Sequence, residues 1–170
     1  MESNESFQKY GINYGIIFGA YSALVLLLSY YLNYSTENWI FGLINFIVTV
    51  GIAGYAVYEF RQNNALKLSV SQAVKIGLIV GVVGGLIYAV YMYIHYTMID
   101  TAFIENMQEQ TMKAIEEQTK GKSQEEIDMA KKGASIASSP FALSTITLFS
   151  VMIKTVLVGV VTGLVFKSDR

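Results

Sequence analysis

The chain has no cysteine, a single proline at Pro140 and a single histidine at His95. The missing cysteine removes disulfides, thiolate metal sites and cysteine nucleophiles. One histidine cannot form a His cluster for a metal. The acidic residues between 97 and 139 lack EF-hand spacing. No G-x-S-x-G elbow, P-loop or dinucleotide fingerprint occurs. The reading therefore assigns no catalytic residue, no metal ligand and no cofactor, and expects no enzyme activity, with a motif-free lipid-modifying reaction left open. A net charge of −1 gives no pull toward nucleic acid.

Charge is also scarce. Only 15% of residues are charged, against about 25% in a typical soluble domain, and 53% are hydrophobic. No charged residue falls between Lys9 and Glu37, Glu37 and Glu59, Lys75 and Asp100, or Lys132 and Lys154. A membrane-spanning helix needs roughly 20 mostly apolar residues. All four gaps meet that length, and they predict spanning helices at 14–32, 39–60, 74–96 and 141–166. Buried helices of a soluble protein are the competing reading, which runs this long disfavour. The first run is too long for a signal-peptide core and lacks a basic leader, so it is expected to be retained. Pro140 precedes the fourth span, where it can open a helix.

Orientation follows from the short-loop cations. Lys9, Arg61, Lys67, Lys75, Lys167 and Arg170 gather at the termini and around the loop between spans two and three. The loop "NYSTEN" has no lysine or arginine. Both termini are thus expected in the cytoplasm of a bacterial inner membrane, with 97–139 outside. Tyr30, Tyr31, Tyr34 and Trp39 would form part of an outer aromatic belt.

What the sequence does have is glycine at helical spacing. "GIIFG" runs Gly15–Gly19 and "GLIVG" runs Gly77–Gly81, sixty-two residues apart. At that offset Ile17, Leu24, Tyr31 and Tyr34 also fall on Ile79, Leu86, Tyr93 and Tyr96. A one-turn slip brings in Gly85. The whole stripe favours the sixty-two-residue offset, at which the face Gly15, Gly19, Ser22, Leu26, Ser29 and Asn33 corresponds to Gly77, Gly81, Gly84, Tyr88, Tyr91 and His95. Span two holds "VGIAG" and span four "VGVVTG", which includes Gly159 and Gly163. The fold expected is all-helical: four spans as two parallel hairpin repeats, with a helical insertion between spans three and four. Helices in lipid associate by close packing, which glycine permits. Chance glycine is the bland alternative.

Segment 97–139 predicts two helices. In the first, Asp100, Ile104, Met107, Thr111 and Ile115 share a side. The second begins at "SQEE", with Ser123 as N-cap and Glu126 at N3 of a capping box, and "TKGK" is the turn. This pair could cap its own bundle, offer an apolar stripe to a partner, or lie on the membrane surface. The last is least favoured, because surface helices carry lysine and arginine on the polar face.

Lys154 lies near the middle of span four, where an ionisable residue is a functional-site candidate by default. Ser144, Thr147, Ser150 and Lys154 form one stripe, and Asn45 and Thr49 a shorter one. Together they outline a candidate site for an anion or lipid headgroup, extended by Tyr88, Tyr91 and His95. The competing reading has Lys154 snorkelling to an inner interface six residues, about 9 Å, away. His95 is expected to be a packed polar residue, with a proton or metal role as the minority reading.

These features resemble the bacterial four-span membrane family catalogued as domain of unknown function 4199. The residues carrying the likeness are "YGIIFGAYSALVLLLSYYL", "YYLN", the long first outer helix, "KSQEEIDMAKK" and "SSPFALS". Where family members often show "NP-F" after span three, this chain reads "IDTAF". The resemblance implies no activity, substrate or catalytic residue. It leans the partner guess toward a lipid-linked glycosyltransferase. The function expected is a non-enzymatic accessory subunit that binds membrane lipid and another integral membrane protein, or itself. The alternative is a small transporter or lipid-phosphate-binding carrier using Lys154.

Overall fold

A computed structural model describes residues 6–33 and 39–168. Tyr34, most of the loop "NYSTEN" and Arg170 lie outside the described residues. Among these, the chain is all-helical, with six α-helices: α1 (Phe7–Tyr31), α2 (Trp39–Asn63), α3 (Val70–Ile94), α4 (Thr101–Gln118), α5 (Gln124–Ala137) and α6 (Pro140–Phe166). A π-helical turn, His95–Ile99, follows α3. Helices α1, α2, α6 and α3 with its π turn are long and apolar enough to cross a membrane. The chain is a multi-pass membrane protein.

Several helices run further than hydropathy alone predicts, for local reasons. Helix α3 begins at Val70 because Ser69 and Gln72 cap it reciprocally: the Gln72 N–H donates to Ser69 Oγ (3.2 Å), and the Ser69 N–H to Gln72 Oε1 (2.9 Å). Helix α2 continues to Asn63 because its charges are accommodated there. Glu59 accepts from Tyr14, and the Arg61 guanidinium sits 5.8 Å from the Phe166 ring centre. Asn33 is not on a face of α1. It lies past the helix end with φ 48°, a left-handed conformation that asparagine tolerates.

The chain divides into two compact units, Met1–Ala89 with Thr147–Arg170, and Val90–Ile146. In the first unit four helices form a closed ring in the order α1, α2, α6, α3. Helix α1 meets α2 through Tyr10 and Phe60, whose rings stand edge to face at 5.6 Å. Helix α2 meets α6 where a Cβ on Gly54 would touch Thr162 at 3.5 Å, and where Tyr58 and Phe166 pack at 6.1 Å. The core between them is built from small and branched side chains, including Ala53, Ala56, Val57, Ala73, Ile76, Val80, Val151 and Val158. Such residues let helices approach closely, and contact at short range replaces the hydrophobic drive that lipid does not supply.

The second unit contains the α4–α5 hairpin. Asp100 does not join a face of α4. It caps the helix, its Oδ1 accepting from the Phe103 N–H at 3.2 Å. Ile104 is buried, and Tyr96 stacks on Phe103 with ring centres 4.7 Å apart. Gly121 makes the turn in the left-handed region, φ 87°, at no steric cost. Helix α5 starts with the expected capping box, Ser123 with Glu126.

Candidate functional site

The glycines on α1 and α3 serve different seams. Gly11, Gly15 and Gly19 face α3: a Cβ on Gly15 would fall 2.8 Å from Val83 Cβ and 3.3 Å from the Gly84 nitrogen. Gly77 and Gly81 face α6, where a Cβ would collide with the Thr155 carbonyl and the Thr155 hydroxyl respectively. Gly85 faces Leu148 on α6. Gly159 and Gly163 return the contact, a Cβ on Gly159 meeting the Ala73 carbonyl oxygen at 2.7 Å. Thr155 is fully buried, and its hydroxyl donates back to the Val151 carbonyl at 3.0 Å.

The α1–α2 seam carries polar side chains instead. The Tyr14 hydroxyl donates to Glu59 Oε2 at 2.5 Å, with Tyr55 edge-on to Tyr14 at 5.8 Å. Two turns further along α1, the Tyr21 hydroxyl donates to Asn45 Oδ1 at 3.1 Å. Asn45 Nδ2 donates to the Phe41 carbonyl, and the buried Thr49 hydroxyl donates to the Asn45 carbonyl at 2.7 Å. Asn45 and Thr49 are thus brought together with Tyr21. Tyr14, Tyr21 and Glu59 were not singled out by sequence reasoning. The signal was present as a tyrosine repeat two helical turns apart, but only the partner helix reveals what each hydroxyl reaches.

Lys154 stands elsewhere. It is exposed on α6, one residue before the buried Thr155. Among the described residues it makes no hydrogen bond and no ion pair, and nothing bonds it to Asn45, Thr49 or Ser150. Thr147 and Ser150 are half-buried on the same helix. Toward the C-terminus of α6, Val161, Leu164 and Val165 remain exposed and apolar beyond Lys154.

In the first unit Tyr88 is half-buried on α3. In the second unit His95 is completely buried, with the Tyr91 hydroxyl and His95 Nδ1 3.3 Å apart and the Tyr96 ring edge-on at 5.4 Å. It opens the π turn, and its carbonyl accepts from the Asp100 N–H at 2.8 Å. Among the described residues no group of three or more His, Asp or Glu side chains could hold a metal. On the hairpin, the ammonium of Lys113 lies 2.6 Å from Glu109 and that of Lys131 2.8 Å from Glu116. These hydrogen bonds hold both carboxyls below the ordinary value, and the Ser123 N–H does the same for Glu126.

Comparison with curated proteins and with solved structures finds no match for this chain. A family model does match, over residues 13–168, which takes in most of the first span, the other three and the α4–α5 hairpin, and the chain belongs to that family, described as protein of unknown function (DUF4199).

Proposed function

We propose that this protein is a non-enzymatic accessory subunit of a bacterial inner membrane that binds another integral membrane protein, with α4 and α5 outside and both termini in the cytoplasm. The observation that carries it is on α5. Met129 and Ile136 are 63% and 61% exposed at i and i+7, with open space over Gly133 between them. Two large apolar side chains on one face of a hairpin beyond the spans suit a protein contact. The topology is supported by Lys9, Arg61, Lys67, Lys75 and Lys167, which collect at one end of the first unit, where Lys75 lies over Phe7 and Ser168 bonds to Leu68.

The GxxxG stripes are the packing device of the bundle in this reading. The two hairpins, α1–α2 and α3–α6, are parallel repeats, with α4 and α5 inserted in the second. In the ring α1 stands beside α3 and opposite α6, so no two-fold axis along the membrane normal relates the halves, and the reading rests on the sixty-two-residue offset of their glycines. The matched glycines of the two halves have nevertheless taken different neighbours.

Purification in mild detergent tests the reading. An integral membrane partner should co-purify stoichiometrically and be lost when Met129 and Ile136 are both changed to serine. The second reading, a transporter or lipid-phosphate carrier, rests on Lys154 as a cation within the spans. It expects a solute or lipid to co-purify instead and to disappear in Lys154→Leu.

A further inference from the structure

We infer that the outward face of α6 is an intramembrane docking surface for a transmembrane helix bearing a carboxylate at mid-membrane depth, with Lys154 as its ionic anchor. This deepens the accessory-subunit reading and rests on it. The face is apolar along its length, with Ile146, Phe149, Ile153, Leu157, Val161 and Leu164 all exposed. From Ile146 to Val165 it measures about 30 Å at 1.5 Å per residue, the thickness of the hydrocarbon core. Lys154 interrupts it, exposed and without a hydrogen bond or ion pair among the described residues.

Three sources could neutralise that ammonium, and depth separates them. A lipid phosphate lies outside the hydrocarbon. Lys154 is eight residues from Ile146, about 12 Å, and eleven from Val165, about 16 Å. A lysine stem reaches about 6 Å, so neither edge is within reach of its head. A second copy in the same orientation offers one carboxylate among the described span residues, Glu59. That group accepts from Tyr14, and its neighbour Tyr58 packs on Phe166. Phe166 is twelve residues from Lys154, so Glu59 is offset from the ammonium by about 18 Å along the bundle. What remains is an aspartate or glutamate on a different helix, at the depth of Lys154 itself. Intramembrane charges pair with one another or line protein interiors rather than face acyl chains.

The full chain in its native membrane is the material for the test. A photo-crosslinking phenylalanine analogue is placed singly at Ile153 and Leu157, which flank Lys154, and as controls at Ile44 and Phe46 of α2. The α6 positions should give one discrete protein adduct. Mass spectrometry should identify it as an integral membrane protein with an acidic residue in a span. Lys154→Leu should lower its yield about tenfold or more, Lys154→Arg should retain most of it, and Lys154→Glu should be restored by changing the partner's acid to lysine. Helicity and membrane insertion of each variant are measured alongside, and these should not fall, since the side chain is exposed. Lipid adducts alone at α6, an adduct to a second copy, or a yield indifferent to Lys154→Leu each overturns the inference. If the same analogue placed at Met129 or Ile136 then gives protein adducts, the accessory-subunit reading survives without it. If none forms at any position, both fall.

Discussion

The α1–α2 seam and the α3–α6 seam each join consecutive spans, yet they close by different means. Between α1 and α2, side chains cross the gap: Tyr14 to Glu59, Tyr21 to Asn45, Tyr10 against Phe60. Between α3 and α6, backbones meet: Gly77 and Gly81 lie against Thr155, and Gly159 against Ala73. The physical consequences differ. A hydrogen bond between membrane helices contributes about 0.6 kcal/mol on average, and losing one leaves the helices where they were. A backbone contact has no rotamer to yield, so any added side chain must move a whole helix.

That contrast gives its largest effect at Gly77. Gly77→Val should cost about 3 kcal/mol, because the Cβ alone already overlaps the Thr155 carbonyl. Helicity followed through a detergent-driven unfolding titration measures it. Tyr14→Phe should cost only about 1 kcal/mol in the same titration, since the ring keeps its edge contact with Tyr55 and loses one hydrogen bond. Equal losses for these two variants would erase the distinction between the seams.

A third variant sharpens the point that glycine matters by position. A Cβ on Gly42, in the first turn of α2, meets nothing within 4 Å. Gly42→Ala should therefore raise stability, by about 0.5 kcal/mol, through lower backbone entropy in the unfolded chain. A loss of stability there would mean that an unseen neighbour approaches α2.

Acid should produce the smallest change, in the α4–α5 hairpin. Glu109, Glu116 and Glu126 have carboxyls held below the ordinary value of 4.5 by Lys113, Lys131 and Ser123. Groups depressed in the folded state contribute stability above 4.5 and lose it as pH falls through their folded values. Amide exchange, corrected for its intrinsic pH dependence, should quicken in α4 and α5 below that point. The α3–α6 seam, closed by glycine and threonine, should not respond. Matching changes in both places would contradict the assignment of the acid effect to these three carboxyls.

The spans were legible because charge-free runs of this length have few other uses, and the α5 start because a capping box is a local interaction within four residues. The added turn at the start of α3 rested on an equally local box, Ser69 with Gln72, whose glutamine is a weaker sequence signal than glutamate. Glu59 was hidden by its position near a span end, where a carboxylate looks like an interfacial charge until Tyr14 is seen to reach it.

The sequence by itself determined that four apolar helices cross a membrane, that glycine stripes run along two of them, and that an amphipathic pair stands between the third and fourth. Each of these depends on hydropathy and on spacing along one helix. Which neighbour each stripe meets was decided only by the tertiary structure, as was the outward direction of Lys154. Helical periodicity places residues on a common face but does not say where that face points. In lipid, where apolar burial does not orient helices, that direction is set by the close contacts of the assembled ring.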